Sequence, residues 1–160
     1  MPTPPAWVVR FRQLIEVTTV ALFASYCVII LFQVFFRYVL NDSLIWSEET
    51  VRFEQFWVTM LATGLCAQRR VHIRLEGIET LLPARIRKPM DIFGDLVTIA
   101  CCCYLGWYGV ELMLDSGDDL SPAMQLPMTI PFAAVPVGSA LTIFWTMLNW
   151  IYPAPRGAHA

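Results

Sequence analysis

The stretch that decides the fold is residues 17–36, VTTVALFASYCVIILFQVFF, 20 consecutive residues without a charge. As a helix rising about 1.5 Å per residue it would reach roughly 30 Å, the thickness of a bilayer's hydrocarbon core. It is too long for the core of a signal peptide, and no small-residue cleavage site follows it. It therefore predicts a membrane crossing over about residues 14–38.

The rest of the chain points the same way. Of its 160 residues, 57% are hydrophobic and 15% are charged, and the mean hydropathy is +0.56. A soluble domain of this size is closer to about 45–50% apolar and about 25% charged, and it has no room to hide the surplus. With 8 Gly, 11 Pro and no sustained heptad, disorder, collagen and coiled coil are also excluded. A net charge of −2 gives no reason to expect nucleic acid.

Three further crossings follow from composition. Residues 55–68 are uncharged but number only 14, so a full span over 45–68 must take in Glu48, Glu49, Arg52 and Glu54. These fall in the first turns, where long side chains reach toward an interface. The third span covers about 90–114 and the fourth about 129–152, with Pro131 and Pro136 near its start, where a missing backbone donor matters least. The predicted fold class is all-α: a single domain over 1–160 with four transmembrane helices. Between the second and third, Val71, Leu75, Ile78 and Leu82 recur at helical spacing among charged residues. That pattern predicts an amphipathic cytoplasmic helix lying on the membrane surface.

Charge sets the orientation. Arg69, Arg70, Arg74, Arg85, Arg87 and Lys88 crowd the second connection, and Arg10, Arg12 and Arg156 mark the ends of the chain. The third connection carries Asp115, Asp118 and Asp119 and no positive residue. The positive-inside rule then puts both termini in the cytoplasm, as an even number of spans requires.

Chemistry-bearing motifs are few. The five cysteines lie in apolar stretches without a C-x-x-C pair and read as small packing residues, and the two histidines lie outside the spans. No cofactor and no metal ligand set is expected, and no phosphate loop or nucleophile triad is present. The densest charged group is Arg37, Glu48, Glu49 and Arg52, beside Trp46. Ser47 is placed to cap the second helix, with both glutamates in its first turn. Spacings of four and three residues would let Glu48 and Glu49 reach Arg52. This predicts a charge network at the outer interface rather than an ion site. Thr59, Thr63 and Ala67 form a small-xxx-small series suited to contact with protein. The proline-rich run from Ser121 to Pro131 reads as a stiff lead into the fourth helix, with an outward ledge for a partner as the functional alternative.

These residues resemble a known family. QVFFRYVLN at 33–41, SLIWSEETVR at 43–52, RRVHIRL at 69–75 and SPAMQLP at 121–127, followed by Pro131-Phe132 and Pro136-Val137-Gly138, are similar to the small membrane subunit (DctQ type) of tripartite ATP-independent periplasmic (TRAP) transporters. The resemblance covers about residues 10–150. It implies a non-enzymatic, four-helix permease subunit of the bacterial inner membrane. Such a subunit would join a large elevator subunit, steady it, and help dock a periplasmic substrate-binding protein. The system would use an ion gradient to import an organic anion such as a carboxylate or sialic acid. By the same resemblance, Arg37, Trp46, Glu48, Glu49 and Arg52 are expected at contacts with the large subunit or with lipid headgroups. The competing expectation is a self-sufficient four-helix transporter working as a homodimer. It would need a carboxylate deep within a span.

Overall fold

The computed structural model describes residues 5–42, 44–69, 84–117 and 119–152. They form five helices: α1 (Ala6–Val39), α2 (Ile45–Arg69), α3 (Ala84–Asp115), α4 (Thr129–Phe132) and α5 (Ala134–Ile151). No strand occurs among the described residues; a lone bridge pairs Leu120 with Pro127. The all-α expectation therefore holds. The surface helix expected over 71–82 lies outside the described residues.

Three helical stretches are long and apolar enough to cross a membrane: Ala6–Val39, Pro89–Asp115 and Thr129–Ile151. α2 is not among them, although its 25 residues would rise about 37 Å. The cause is the four charged residues in its first ten, which lower its hydropathy. α1 is longer than expected, with 34 residues and a rise of about 51 Å. Its extra N-terminal turns carry Val8 into the buried cluster, beside Ile15 of the expected span.

The fourth predicted span is interrupted at Ala133. Pro131 and Pro136 each lack a backbone N–H, so the helix cannot donate from either position. The N–H of Ala133 donates to the Thr129 carbonyl (2.9 Å) and that of Val137 to the Ala133 carbonyl (3.2 Å), which carries the chain from α4 into α5 with little change of course.

The main helix contacts run α1 to α2, α2 to α5 and α5 to α3, so the long helices form an open row rather than a closed bundle. Burial follows that order. In the most apolar window of α1 and of α3 only 6% of residues are buried, against 44% in the corresponding window of Thr129–Ile151. α5 is the inner helix, and α1 and α3 are the flanks.

The α2–α5 contact is close because glycine permits it. A Cβ built on Gly138 would lie 2.5 Å from the Met60 Cβ and 3.1 Å from Met60 backbone atoms. In a membrane, where lipid tails are as apolar as leucine, such close approach supplies the van der Waals contact that holds helices together. Around it Leu61, Leu65 and Ala67 of α2 pack with Leu141 and Trp145 of α5, the last only 1% exposed. The Thr142 and Thr146 hydroxyls donate to carbonyls four residues back in their own helix, both at 2.8 Å, so they enter this apolar contact satisfied. At one end the Asn149 side-chain amide donates to the Ala67 carbonyl (2.8 Å).

The flanks are tied on by other means. On α1, Phe11 meets Phe144 edge-on at 6.0 Å, and the Ser25 hydroxyl donates to Glu54 Oε1 of α2 (2.9 Å). On α3, a Cβ on Gly109 would meet Val135 Cγ1 at 2.8 Å, and the Trp150 indole donates to Asp95 (2.8 Å).

Gly138→Ala should force α2 and α5 apart and destabilise the chain by about 1–3 kcal/mol, the usual cost of overpacking. Gly94→Ala, where nothing lies within 4 Å of the added Cβ, should leave stability level or slightly raised. Thermal unfolding of the two variants in the same detergent tests this; an unchanged midpoint for Gly138→Ala would contradict the close contact.

Candidate functional site

The turn between α1 and α2 is short, which makes the two helices antiparallel neighbours. Asn41 takes a left-handed conformation (φ 51°), one that Asn tolerates better than most residues. The Asp42 N–H donates back to the Phe36 carbonyl (3.2 Å). This turn sets the end of α1 beside the start of α2. There Arg37 lies 3.8 Å from Glu48, with both side chains more than half or about half exposed. An exposed pair of this kind contributes little to stability.

Ser47 does not cap α2. The helix begins at Ile45, and Ser47, its third residue, is buried, with its hydroxyl donating to the Leu44 carbonyl at 2.6 Å. The predicted pairing with Arg52 also differs from what is found. Glu48 reaches across to α1, Glu49 turns to the other side, and Arg52 closes no ion pair with either.

Glu49 is the centre of the site. Its carboxylate accepts the Ser121 hydroxyl, the Ala123 N–H on Oε1 (3.0 Å) and the Met124 N–H on Oε2 (3.0 Å). One side chain at the start of α2 thus holds three donors from the segment that leads into α4. Hydrogen bonds to an ionised acceptor are about twice as strong as neutral ones. One carboxylate therefore fixes a loop more than 70 positions away in sequence.

The loop is already shaped to be held. The N–H of Ser121 donates to the Leu126 carbonyl (2.9 Å), that of Gln125 to Ser121 (2.9 Å) and that of Met128 to Asp119 (3.0 Å). Gln125 is left-handed at φ 51°, within the turn that brings the Leu126 carbonyl back to the Ser121 N–H. Ser121 is 1% exposed. Pro122 and Pro127 restrict the residues on either side of this turn. The Thr50 hydroxyl, next after Glu49 on α2, lies 3.2 Å from Met124 Sδ.

The expected site residues are therefore separated. Arg37 and Glu48 pair, Glu49 anchors the loop, and Trp46 (48% exposed) and Arg52 face outward. Two participants were not foreseen. Ser121 was read only as the first residue of the SPAMQLP stretch, with no bond to α2 expected. Glu54 was expected to reach water in an outer turn, yet its Oε1 takes Ser25 while its Oε2 is buried with no hydrogen-bond partner. No group of three or more metal-ligating side chains occurs among the described residues. The arrangement positions one segment of the chain against another.

The sequence comparisons agree with this architecture. The model of the tripartite ATP-independent periplasmic transporters' DctQ component matches residues 26–156, and the chain belongs to that family of membrane transport proteins. It is 26% identical to the C4-dicarboxylate TRAP transporter small permease protein DctQ of Vibrio cholerae, over 84% of this chain and 69% of that one. It is 31% identical to the isethionate TRAP transporter permease protein DctMQ of Oleidesulfovibrio alaskensis, over 71% of this chain and 19% of that one. It is 27% identical to the sialic acid TRAP transporter permease protein SiaT of Haemophilus influenzae, over 77% and 20% respectively. The chain thus spans about two thirds of the first relative and about a fifth of the other two.

Glu49→Ala should release the loop while the helix row persists. Amide exchange at Ala123 and Met124 should then quicken by roughly tenfold or more, as for a segment that has lost its local anchor. Ser121→Ala, which removes one donor of three, should quicken it only a few-fold. Residue-resolved hydrogen exchange in micelles provides the test, and protection unchanged in Glu49→Ala would contradict the clamp.

Proposed function

We propose that the chain is the small, non-catalytic permease subunit of a TRAP transporter of the bacterial inner membrane. In this reading α2 is the second of four crossings, its charged first turns lying at the outer interface. Both termini and the basic second connection are cytoplasmic, and the surface helix belongs to that connection. The chain widens and steadies the fixed part of a large elevator subunit, and lipid headgroups meet its exposed Arg37, Trp46 and Arg52. The complex uses an ion gradient to import an organic anion delivered by a periplasmic binding protein. The relatives named for C4-dicarboxylates, isethionate and sialic acid support that class of cargo.

The observation that carries this reading is the clamp of Glu49 on the loop before α4. A scaffold must hold its outer surface still while another part of the complex moves. A loop fixed by a carboxylate keeps its shape without a bound partner, and preorganisation of that kind lowers the cost of docking. The acidic residues Asp115 and Asp119 beside it offer charge to a complementary surface.

The test is uptake by proteoliposomes that hold the complete membrane complex, measured against the concentration of binding protein. Glu49→Ala should raise the half-saturating concentration of binding protein roughly tenfold, a change worth about 1.4 kcal/mol. The large subunit should still be recovered in equal amount. Unchanged half-saturation with the loop shown to be released would contradict a docking role.

A further inference from the structure

Two grooves open on the same face of the helix row. One lies between α3 and α5, has a volume of about 840 Å³, and is lined by Cys103, Gly106, Trp107, Val110 and Ile143. The other lies between α1 and α5, has a volume of about 890 Å³, and is lined by Phe11, Leu14, Leu61, Val137 and Phe144. Ala140 lines both, so the grooves adjoin along a low ridge made by α5.

We infer that this face seats the large membrane subunit, with one of its apolar helices in each groove and the α5 ridge between them. The inference deepens the small-subunit reading above and rests on it. Each groove is a trough between two helices of the row, and helices pack at about 8–10 Å between axes by setting ridges into such grooves. A partner helix laid in each trough would flank α5 at that distance. The ridge itself is low, because Ala140 is small, and Gly106 and Ser139 keep the floor of one groove shallow in side-chain atoms. In lipid, association gains from close backbone approach of this kind and has no hydrophobic drive to replace it.

The choice of occupant comes from the relatives. The isethionate and sialic acid permeases hold the matching unit as about a fifth of a longer permease chain. In such a chain the neighbour of this row is more of the same membrane protein. An exposed helix pair in the same bilayer is thus the partner these grooves fit, ahead of a second copy or a lipid tail.

The experiment co-expresses the full chain with its large subunit and measures the large subunit recovered on the purified small one. Ala140→Trp should cut recovery at least tenfold, while its own thermal midpoint stays that of the wild type because residue 140 is exposed. Val110→Trp fills the α3–α5 groove alone, lies on a different helix, and should also lower recovery. Leu31→Trp, at an exposed α1 position outside both grooves, should match the wild type. Full recovery with both groove variants would overturn the inference, whether bound phospholipid falls (the grooves hold lipid) or a self-crosslink is lost (they hold a second copy). Equal loss with Leu31→Trp would overturn it as well. Failure of the wild type to recover any large subunit would instead strike down the small-subunit reading from which the inference starts.

Discussion

The close approach of α2 to α5 at Gly138 and Met60 is the contact on which the rest of the structure depends. α2 and α5 are the inner pair of a row, and each flank helix has one main neighbour among them. If the inner pair separates, the layer is lost, and with it the contacts of Phe11 with Phe144 and Trp145. Glycine makes the approach possible, and the hydroxyls of Thr142 and Thr146 are kept from disturbing it by bonding within α5. The polar tie between Asn149 and the Ala67 carbonyl closes the same contact at its end. A membrane gives such a contact no hydrophobic help, so fit and satisfied polar groups must carry it.

A single layer of helices has two broad faces and little interior. That suits the proposed role of extending a larger membrane subunit. The one elaborate polar arrangement is at the end of the layer, where Glu49 holds the backbone of a distant loop. The clamp and the layer divide the labour: the layer supplies a wide apolar wall, and the clamp fixes the shape presented at its edge. A loop held by three donors to one carboxylate has a defined surface before any partner arrives.

Much of this was legible in the residues. The uncharged run over 17–36 and the later apolar stretches gave helix positions close to those found, because hydropathy and length are local properties. The proline-rich segment lies where it was expected, leading into the last apolar stretch. The expected network of Arg37, Glu48, Glu49 and Arg52 is found in part: Arg37 on α1 meets Glu48 on α2, while neither glutamate closes an ion pair with Arg52, because helical spacing shows which residues can meet on one helix, and nothing of what lies across from it. Glu49 found better donors on another segment, and Glu48 found Arg37 on α1. The row in place of a bundle was illegible for the same reason: α1 and α3 carry apolar residues on nearly every side, so their sequences mark no inward face. The break at Ala133 needed only the two prolines on either side of it, yet those same prolines fit the start of an unbroken helix equally well.

Cysteine cross-linking in native membranes measures the layer most directly. Pairs at Ser25 with Glu54, Ala67 with Asn149, and Gly106 with Ser139 report α1–α2, α2–α5 and α5–α3 contacts in turn. Each should close readily under mild oxidation in a background freed of the other cysteines. Pairs between α1 and α3, such as Val28 with Leu105, should stay open even in the assembled complex. Efficient closure of an α1–α3 pair within one chain would show a closed four-helix bundle and contradict the open row.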